Sequence, residues 1–263
     1  MKCQPIIIVL FVFVLMFLTN QTARGNLSTG LIAYYSFDGN ANDMSGNGHD
    51  GTVHGALLNT DRFGNPNSAY SFDGLDDYVR IPDDPQLDGM DSFTLSVWVK
   101  LSGSNLEMEV LNKYDHGPPY LDESYNIGID GWGPLAVFQY ATNDKYVIKI
   151  SNDPLSIDPW HHIVGVYTGA EGSVYLDGNK ITLSRNDPDF GGPLNSITAD
   201  LLIGCGEESG SLVKFFAGKI DDVRIYNRAL SADEVQQLYI IPEPATLLLL
   251  GLGAVLLRRR FSL

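Results

Sequence analysis

Between Leu27 and Tyr239 the chain reads as short apolar runs set between Gly, Asn, Asp and Pro, and many of the runs alternate apolar with polar residues. Alternation puts every second side chain on one face of an extended strand, as in antiparallel sheets with one buried face. The predicted strands are LIAYYSF (31–37), SAYSF (68–72), DYVRI (77–81), SFTLSVWVK (92–100), YNIGI (125–129), LAVFQY (135–140), KYVIKI (145–150), HHIVGVY (161–167), SVYL (173–176), KITL (180–183), ADLLIG (199–204) and FAGKIDDVRIY (216–226). A recurrence of about ten residues with turn signals between runs predicts an all-β, two-sheet antiparallel sandwich. Asp177-Gly178 supplies the positive φ angles of a two-residue hairpin turn. One helix is predicted, opened by a capping box of Ser231 and Glu234 and carrying Val235 and Leu238 as its apolar stripe. No internal repeat or long linker divides the body, which is read as one domain over residues 27–239.

The two ends break this pattern. Ile6 to Leu18 is an unbroken apolar run behind Lys2 and ahead of the polar TNQTARG. Ala23 and Gly25 give a small-x-small cut site, so residues 1–25 read as a helical signal peptide and the mature chain is expected to begin near Asn26. At the far end, Pro242-Glu243-Pro244 precedes the apolar Ala245–Leu257 and then Arg258, Arg259 and Arg260. Arginines placed after an apolar stretch stay on the cytoplasmic side, so this end reads as a transmembrane segment with the main domain outside. The apolar stretch spans only about 20 Å as a helix, against a hydrocarbon core of about 30 Å. It is a poor permanent anchor. The order Pro-Glu-Pro, short apolar run, arginine cluster over 242–260 resembles the PEP-CTERM sorting signal of Gram-negative bacteria. That resemblance implies recognition and removal of the tail by an exosortase-type protease. It also implies delivery to the cell surface or extracellular matrix after a transient membrane-associated stage.

Charge narrows the partners. Of the 17 Lys and Arg and 32 Asp and Glu, residues 1–25 and 242–263 hold five basic residues and one acid. The body therefore carries 12 basic against 31 acidic residues, a net charge of −19. Such a surface repels nucleic acid, and it suits hard cations, which take carboxylate and carbonyl oxygens. Cys205 is the lone cysteine outside the signal segment, which excludes an intramolecular disulfide, and it reads as a small buried residue.

AYYSFDGNANDMSGNGHDG (33–51), AYSFDGLDDYVRIPD (69–83), FTLSVWVK (93–100), PWHHIVGVY (159–167), VYLDG (174–178) and GKIDDVRIYNRALSADEVQQLY (218–239) together resemble the laminin-G-like jelly roll of the concanavalin A-like superfamily. The resemblance implies a jelly-roll sandwich whose first and last strands pair. It further implies a structural Ca2+ held by an acid after the first strand, a loop carbonyl and the Asp at the start of the last strand, here Asp38, Asp43 and Asp221. Asp222 is expected to face the other way. The alternative for these acids is turn capping. Trp98 and Trp160 read as sheet-packing aromatics, and adjacent His161 and His162 point to opposite faces and do not chelate one ion.

A polysaccharide or glycoconjugate partner is expected from aromatic faces near polar groups. The stretch Tyr114–Trp132 offers Tyr114, Tyr120 and Trp132, the last between two glycines at an apparent hairpin tip. Catalytic relatives, the laminarinase-type hydrolases, carry Glu-x-Asp-x-x-Glu on one strand. The nearest segment, Glu107-Met108-Glu109-Val110-Leu111-Asn112, lacks the central Asp and the last Glu. The chain is accordingly expected to be noncatalytic, a carbohydrate-binding or adhesive surface protein, with a purely structural matrix protein or a hydrolase-like enzyme as alternatives.

Overall fold

The computed structural model describes residues 26–103, 107–114 and 123–241. The signal segment 1–25 and the tail 242–260 lie outside the described residues. No helix among the described residues is long and apolar enough to cross a membrane.

The strands are, in chain order, β1 (Leu31–Tyr35), β2 (Thr52–His54), β3 (Leu57–Asn59), β4 (Ala69–Asp73), β5 (Tyr78–Ile81), β6 (Phe93–Leu101), β7 (Met108–Tyr114), β8 (Glu123–Asp130), β9 (Leu135–Thr142), β10 (Lys145–Ser151), β11 (Trp160–Tyr167), β12 (Gly172–Leu176), β13 (Asn179–Lys180), β14 (Leu183–Asn186), β15 (Leu201–Ile203), β16 (Gly206–Glu208), β17 (Ser211–Val213) and β18 (Ala217–Tyr226). The first sheet runs β13-β12-β11-β6-β18-β4-β3, with β1 also on β18, and the second runs β14-β10-β9-β8-β7-β15-β5-β2. β16 and β17 form a separate hairpin. The last strand pairs with β6 on one side. On its other side it takes β4 through Ala217–Ile220 and β1 through Val223–Tyr226.

The alternation in β6 explains the core. Phe93, Leu95, Val97, Val99 and Leu101 all join the main buried cluster, where they meet Tyr125, Ile127 and Ile129 of β8 and Ala136, Phe138 and Tyr140 of β9. The Phe93 ring lies 5.8 Å from that of Tyr125 and 5.7 Å from that of Phe138. Each such side chain stabilises the fold by about 2–3 kcal/mol on burial. The opposite face of the first sheet is closed by a second cluster, in which Val164, Val166, Tyr175 and Tyr226 pack under Leu230, Val235 and Leu238.

The last two belong to helix α1 (Ala232–Ile240), whose capping box forms as predicted: Ser231 Oγ accepts from the Glu234 amide and the Glu234 carboxylate accepts from the Ser231 amide. Arg228 donates to both Glu234 oxygens at 3.0 and 2.8 Å. The predicted hairpin also forms, with φ of 49° at Asp177 and 79° at Gly178.

Several segments differ from the sequence reading, and the short strands β2, β3, β16 and β17 all lie outside the predicted runs. β7 was not predicted, because its pairing with β8 shifts register between Glu109 and Leu111. A bulge places Val110 and Leu111 side by side and erases the period of two. KITL is not one strand: β13 ends at Lys180 and β14 begins at Leu183, on the other sheet.

Candidate functional site

The outer face of the second sheet holds a cavity of about 250 Å³. Because β8, β9 and β10 send Ile127, Phe138 and Val147 into the core, their alternate residues Asn126, Gln139 and Ile148 line this outer face. β7 contributes Glu109, the loop after β17 contributes Lys214, and the β8–β9 turn contributes Trp132.

Glu109 is the buried group of the site. Its Oε1 accepts a 2.9 Å hydrogen bond from the Tyr114 hydroxyl. Across the strand pair sits Gly128, and a Cβ there would stand 2.6 Å from Glu109 Oε2. The glycine is what lets the carboxylate lie flat on the sheet. Burial pushes the Glu109 carboxyl above its ordinary range, against the opposing pull of Lys214 and Tyr114.

Lys214 Nζ lies 3.0 Å from Glu107 Oε1, 3.0 Å from Glu208 Oε1 and 3.7 Å from Glu109 Oε1. Burial works against its charge, but the surrounding glutamates outweigh it and hold the ammonium protonated. The Lys214 backbone sits at φ 53°. A left-handed residue that is not glycine is strained, and such strain persists only where the surroundings enforce it. One of these constraints is the Glu109 amide, which donates to the Lys214 carbonyl at 2.9 Å.

Trp132 is 98% exposed. Its amide donates to Asp130 Oδ1 at 2.8 Å, which fixes the turn but leaves the indole in solvent. An exposed Trp at the rim of a polar cavity offers an apolar face next to hydrogen-bonding groups.

The other predicted ligand residues fare differently. Tyr114 is only 1% exposed and faces Glu109 rather than solvent, so it supports the site and offers no platform. Tyr120 lies outside the described residues. Trp98 is a packing residue, stacked on His162 at 4.9 Å and on Tyr239 at 5.5 Å. Trp160 lies beside it, half-buried in a shallow groove with Phe63 and Ile240. His162 Nε2 is 2.8 Å from Ser96 Oγ, while His161 Nδ1 is 3.0 Å from Asp177 Oδ2, so the two rings do diverge.

The expected calcium ligands are not gathered into one set. β1 does pair with β18, as expected. Asp38, however, is exposed. Asp43 is spent on its own loop, accepting from the amides of Tyr34, Ser45 and His49 at 3.0, 2.9 and 3.2 Å. Burial opposes its ionisation, yet these bonds hold its carboxyl below the usual range.

Asp221 and Asp222 both meet one guanidinium: Arg62 Nη1 donates to Asp221 Oδ2 at 3.0 Å and Nη2 to Asp222 Oδ2 at 2.6 Å. Asp222 therefore does not face away from Asp221. It has φ 50°, and the β18–β6 register shifts between Asp221 and Arg224. A bulge of this kind turns consecutive side chains to one side. Carboxylates already answering to an arginine and to loop amides do not fit a calcium ion bridging Asp38, Asp43 and Asp221. Among the described residues, the group of three metal-capable side chains with ligand atoms within 4.8 Å of one another is Asp73, Asp76 and Asp77.

Sequence reasoning weighed Glu107 and Glu109 only against a catalytic pattern and did not single out Gln139, Arg185 or Lys214. Lys214 reaches Glu109 from a loop far along the chain, which no local pattern signals.

Residues 72–236 match the profile of the Concanavalin A-like lectin/glucanases superfamily, and residues 241–260 match the PEP-CTERM protein-sorting motif. No curated protein matches the chain. Among solved structures, the chain is similar to Domain 4 of AbnA, a GH43 extracellular arabinanase from Geobacillus stearothermophilus, in complex with arabinotriose. The identity is 21%, the TM-score is 0.57, and the match covers 80% of this chain and 98% of that one. It is also similar to the binding domain of Paraclostridial Mosquitocidal Protein 1, at 17% identity and a TM-score of 0.63, covering 81% of this chain and 52% of that one. A third is the Trypanosoma rangeli sialidase in complex with sialic acid, at 20% identity and a TM-score of 0.59, covering 80% of this chain and 33% of that one. At these identities the likeness shows the fold.

Proposed function

The chain belongs to the Concanavalin A-like lectin/glucanases superfamily, and we propose that it is a noncatalytic carbohydrate-binding module whose site is the cleft on the second sheet. The observation that carries this reading is the exposed indole of Trp132 at the rim of a cavity floored by Asn126, Gln139 and Glu109. Sugar rings present apolar faces and a fringe of hydroxyls, and this wall offers a partner for each. The neighbours solved with arabinotriose and with sialic acid support a sugar ligand.

The sorting motif at 241–260 indicates export and a surface or extracellular location by an exosortase-dependent route. Adhesion to a polysaccharide outside the cell is the role that joins the two features. The noncatalytic part is supported by the clasp: Glu107 and Glu109, two of the carboxylates lining the cavity, both lie against Lys214.

Binding of the full chain to a glycan array tests the reading. Trp132→Ala is expected to weaken binding tenfold or more, by about 1.4 kcal/mol, while leaving the melting temperature unchanged. Failure of the intact protein to bind any glycan would favour a purely structural matrix role. Polysaccharide turnover that disappears in Glu109→Gln would overturn the noncatalytic assignment.

A further inference from the structure

Both cations in the cleft wall are already committed. Lys214 lies within 3.0 Å of Glu107 and Glu208 and 3.7 Å of Glu109. Arg185 donates through Nε and Nη2 to the two oxygens of Asp187, at 3.0 and 2.9 Å. The floor adds Asp130, and Lys214 faces three carboxylates, of which Glu107 and Glu109 line the cavity, so acidic groups outnumber basic ones here. An anionic sugar is recognised by an unengaged arginine or lysine that meets its carboxylate directly. Among the described residues the cleft wall presents no such cation.

We infer that this cleft selects uncharged saccharide chains and rejects uronate- or sialate-bearing ones, the discrimination arising from the Lys214 clasp. The inference rests on the cleft being a saccharide site. The mechanism is like-charge repulsion at short range: a sugar carboxylate entering beside Glu107 and Glu109 finds the ammonium of Lys214 already neutralised. Repulsion of this kind serves specificity more than affinity. The strained backbone of Lys214 is consistent with a residue held in place for a purpose other than stability.

Glu107 and Glu208 are the exposed members of the clasp, with side chains 60% and 39% accessible. The double variant Glu107→Gln, Glu208→Gln therefore leaves Lys214 facing Glu109 alone without disturbing the core. The full chain is titrated against neutral polymers (arabinan, mixed-linkage β-glucan) and against polygalacturonate, alginate and a sialylated oligosaccharide, at low and at high salt. The neutral class is expected to bind at least about tenfold more tightly than the acidic class at low salt. Salt is expected to shrink the gap, because screening weakens repulsion between partly exposed charges. The double variant is expected to reduce the gap to a few-fold.

Acidic polymers binding as tightly as neutral ones, or a gap unchanged in the double variant, would overturn this inference and leave the saccharide site standing. Absence of binding to every polymer of either class would overturn the saccharide site itself and this inference with it.

Discussion

Two charge clusters lie on opposite outer faces of this sandwich, and they are built to different rules. Under the helix, Arg62 joins Asp221 to Asp222, Arg224 Nη2 donates to Asp222 at 2.7 Å, and the Tyr34 hydroxyl donates to Asp222 at 2.7 Å. The Arg62 guanidinium is itself covered by Trp98, 4.4 Å from the ring centroid. Two cations answer two anions, and aromatic rings exclude water. In the cleft, one lysine answers three glutamates, only one of them buried, and two of them, Glu107 and Glu109, line the cavity. A balanced, sealed group serves the fold, because removing any member strands a charge in a poor solvent. An unbalanced group at a cavity can trade protons, water and ligands without unfolding anything.

That contrast breaks most readily at Arg62. Arg62→Met is expected to cost about 3–5 kcal/mol in urea unfolding, since it leaves two buried carboxylates with one counter-charge between them. Lys214→Met, the parallel change in the cleft, is expected to cost less than about 1 kcal/mol, because Glu107 and Glu208 reach water and burial already works against the charged form of Glu109. Similar losses in the two variants would show that the faces do not differ in kind.

Two acids sharpen the comparison through pH, with opposite signs. Glu234 is held down to about 2, chiefly by hydrogen bonds from Arg228, against an ordinary value of 4.5. Its contribution is present above about pH 4.5 and is lost as pH falls towards 2. Glu234→Ala should remove that dependence and cost about 1 kcal/mol at neutral pH, the worth of a helix cap. Glu109 is raised by burial from 4.5. The stability of its protonated form is fully present below pH 4.5 and is lost as pH rises through the folded value. Glu109→Gln should flatten that loss, read as unfolding midpoints across the series. The smallest effect concerns Cys205, whose thiol burial pushes up to about 12. The native protein should resist alkylation and react only on unfolding.

The sequence disclosed what period and turn chemistry encode. The alternation of Phe93 to Leu101, the Asp177-Gly178 turn and the Ser231–Glu234 cap each rest on residues adjacent along the chain, and each forms. Glycines on either side of Trp132 marked it as exposed for the same local reason. Bulges were illegible. One hid β7 by setting Val110 beside Leu111, and another turned Asp222 towards Arg62 when alternation pointed it away. The clasp around Lys214 was hidden for a different reason, since Glu107 and Glu109, at the start of β7, meet the β16–β17 hairpin that carries Glu208 and Lys214 only through tertiary packing. Asp43 is not decided by sequence, because a carboxylate that organises its own loop and one that binds an ion have the same sequence signature.

The place where the described chain ends has its own consequence. Helix α1 packs on the outer face of the first sheet and stops at Ile241, whereas the cleft opens on the outer face of the second. The end of the helix and the mouth of the cleft stand back to back. On the proposed saccharide reading, a contact made through the helix face leaves the cleft open to a polymer, and several such molecules side by side would hold one polymer more durably than a single molecule does.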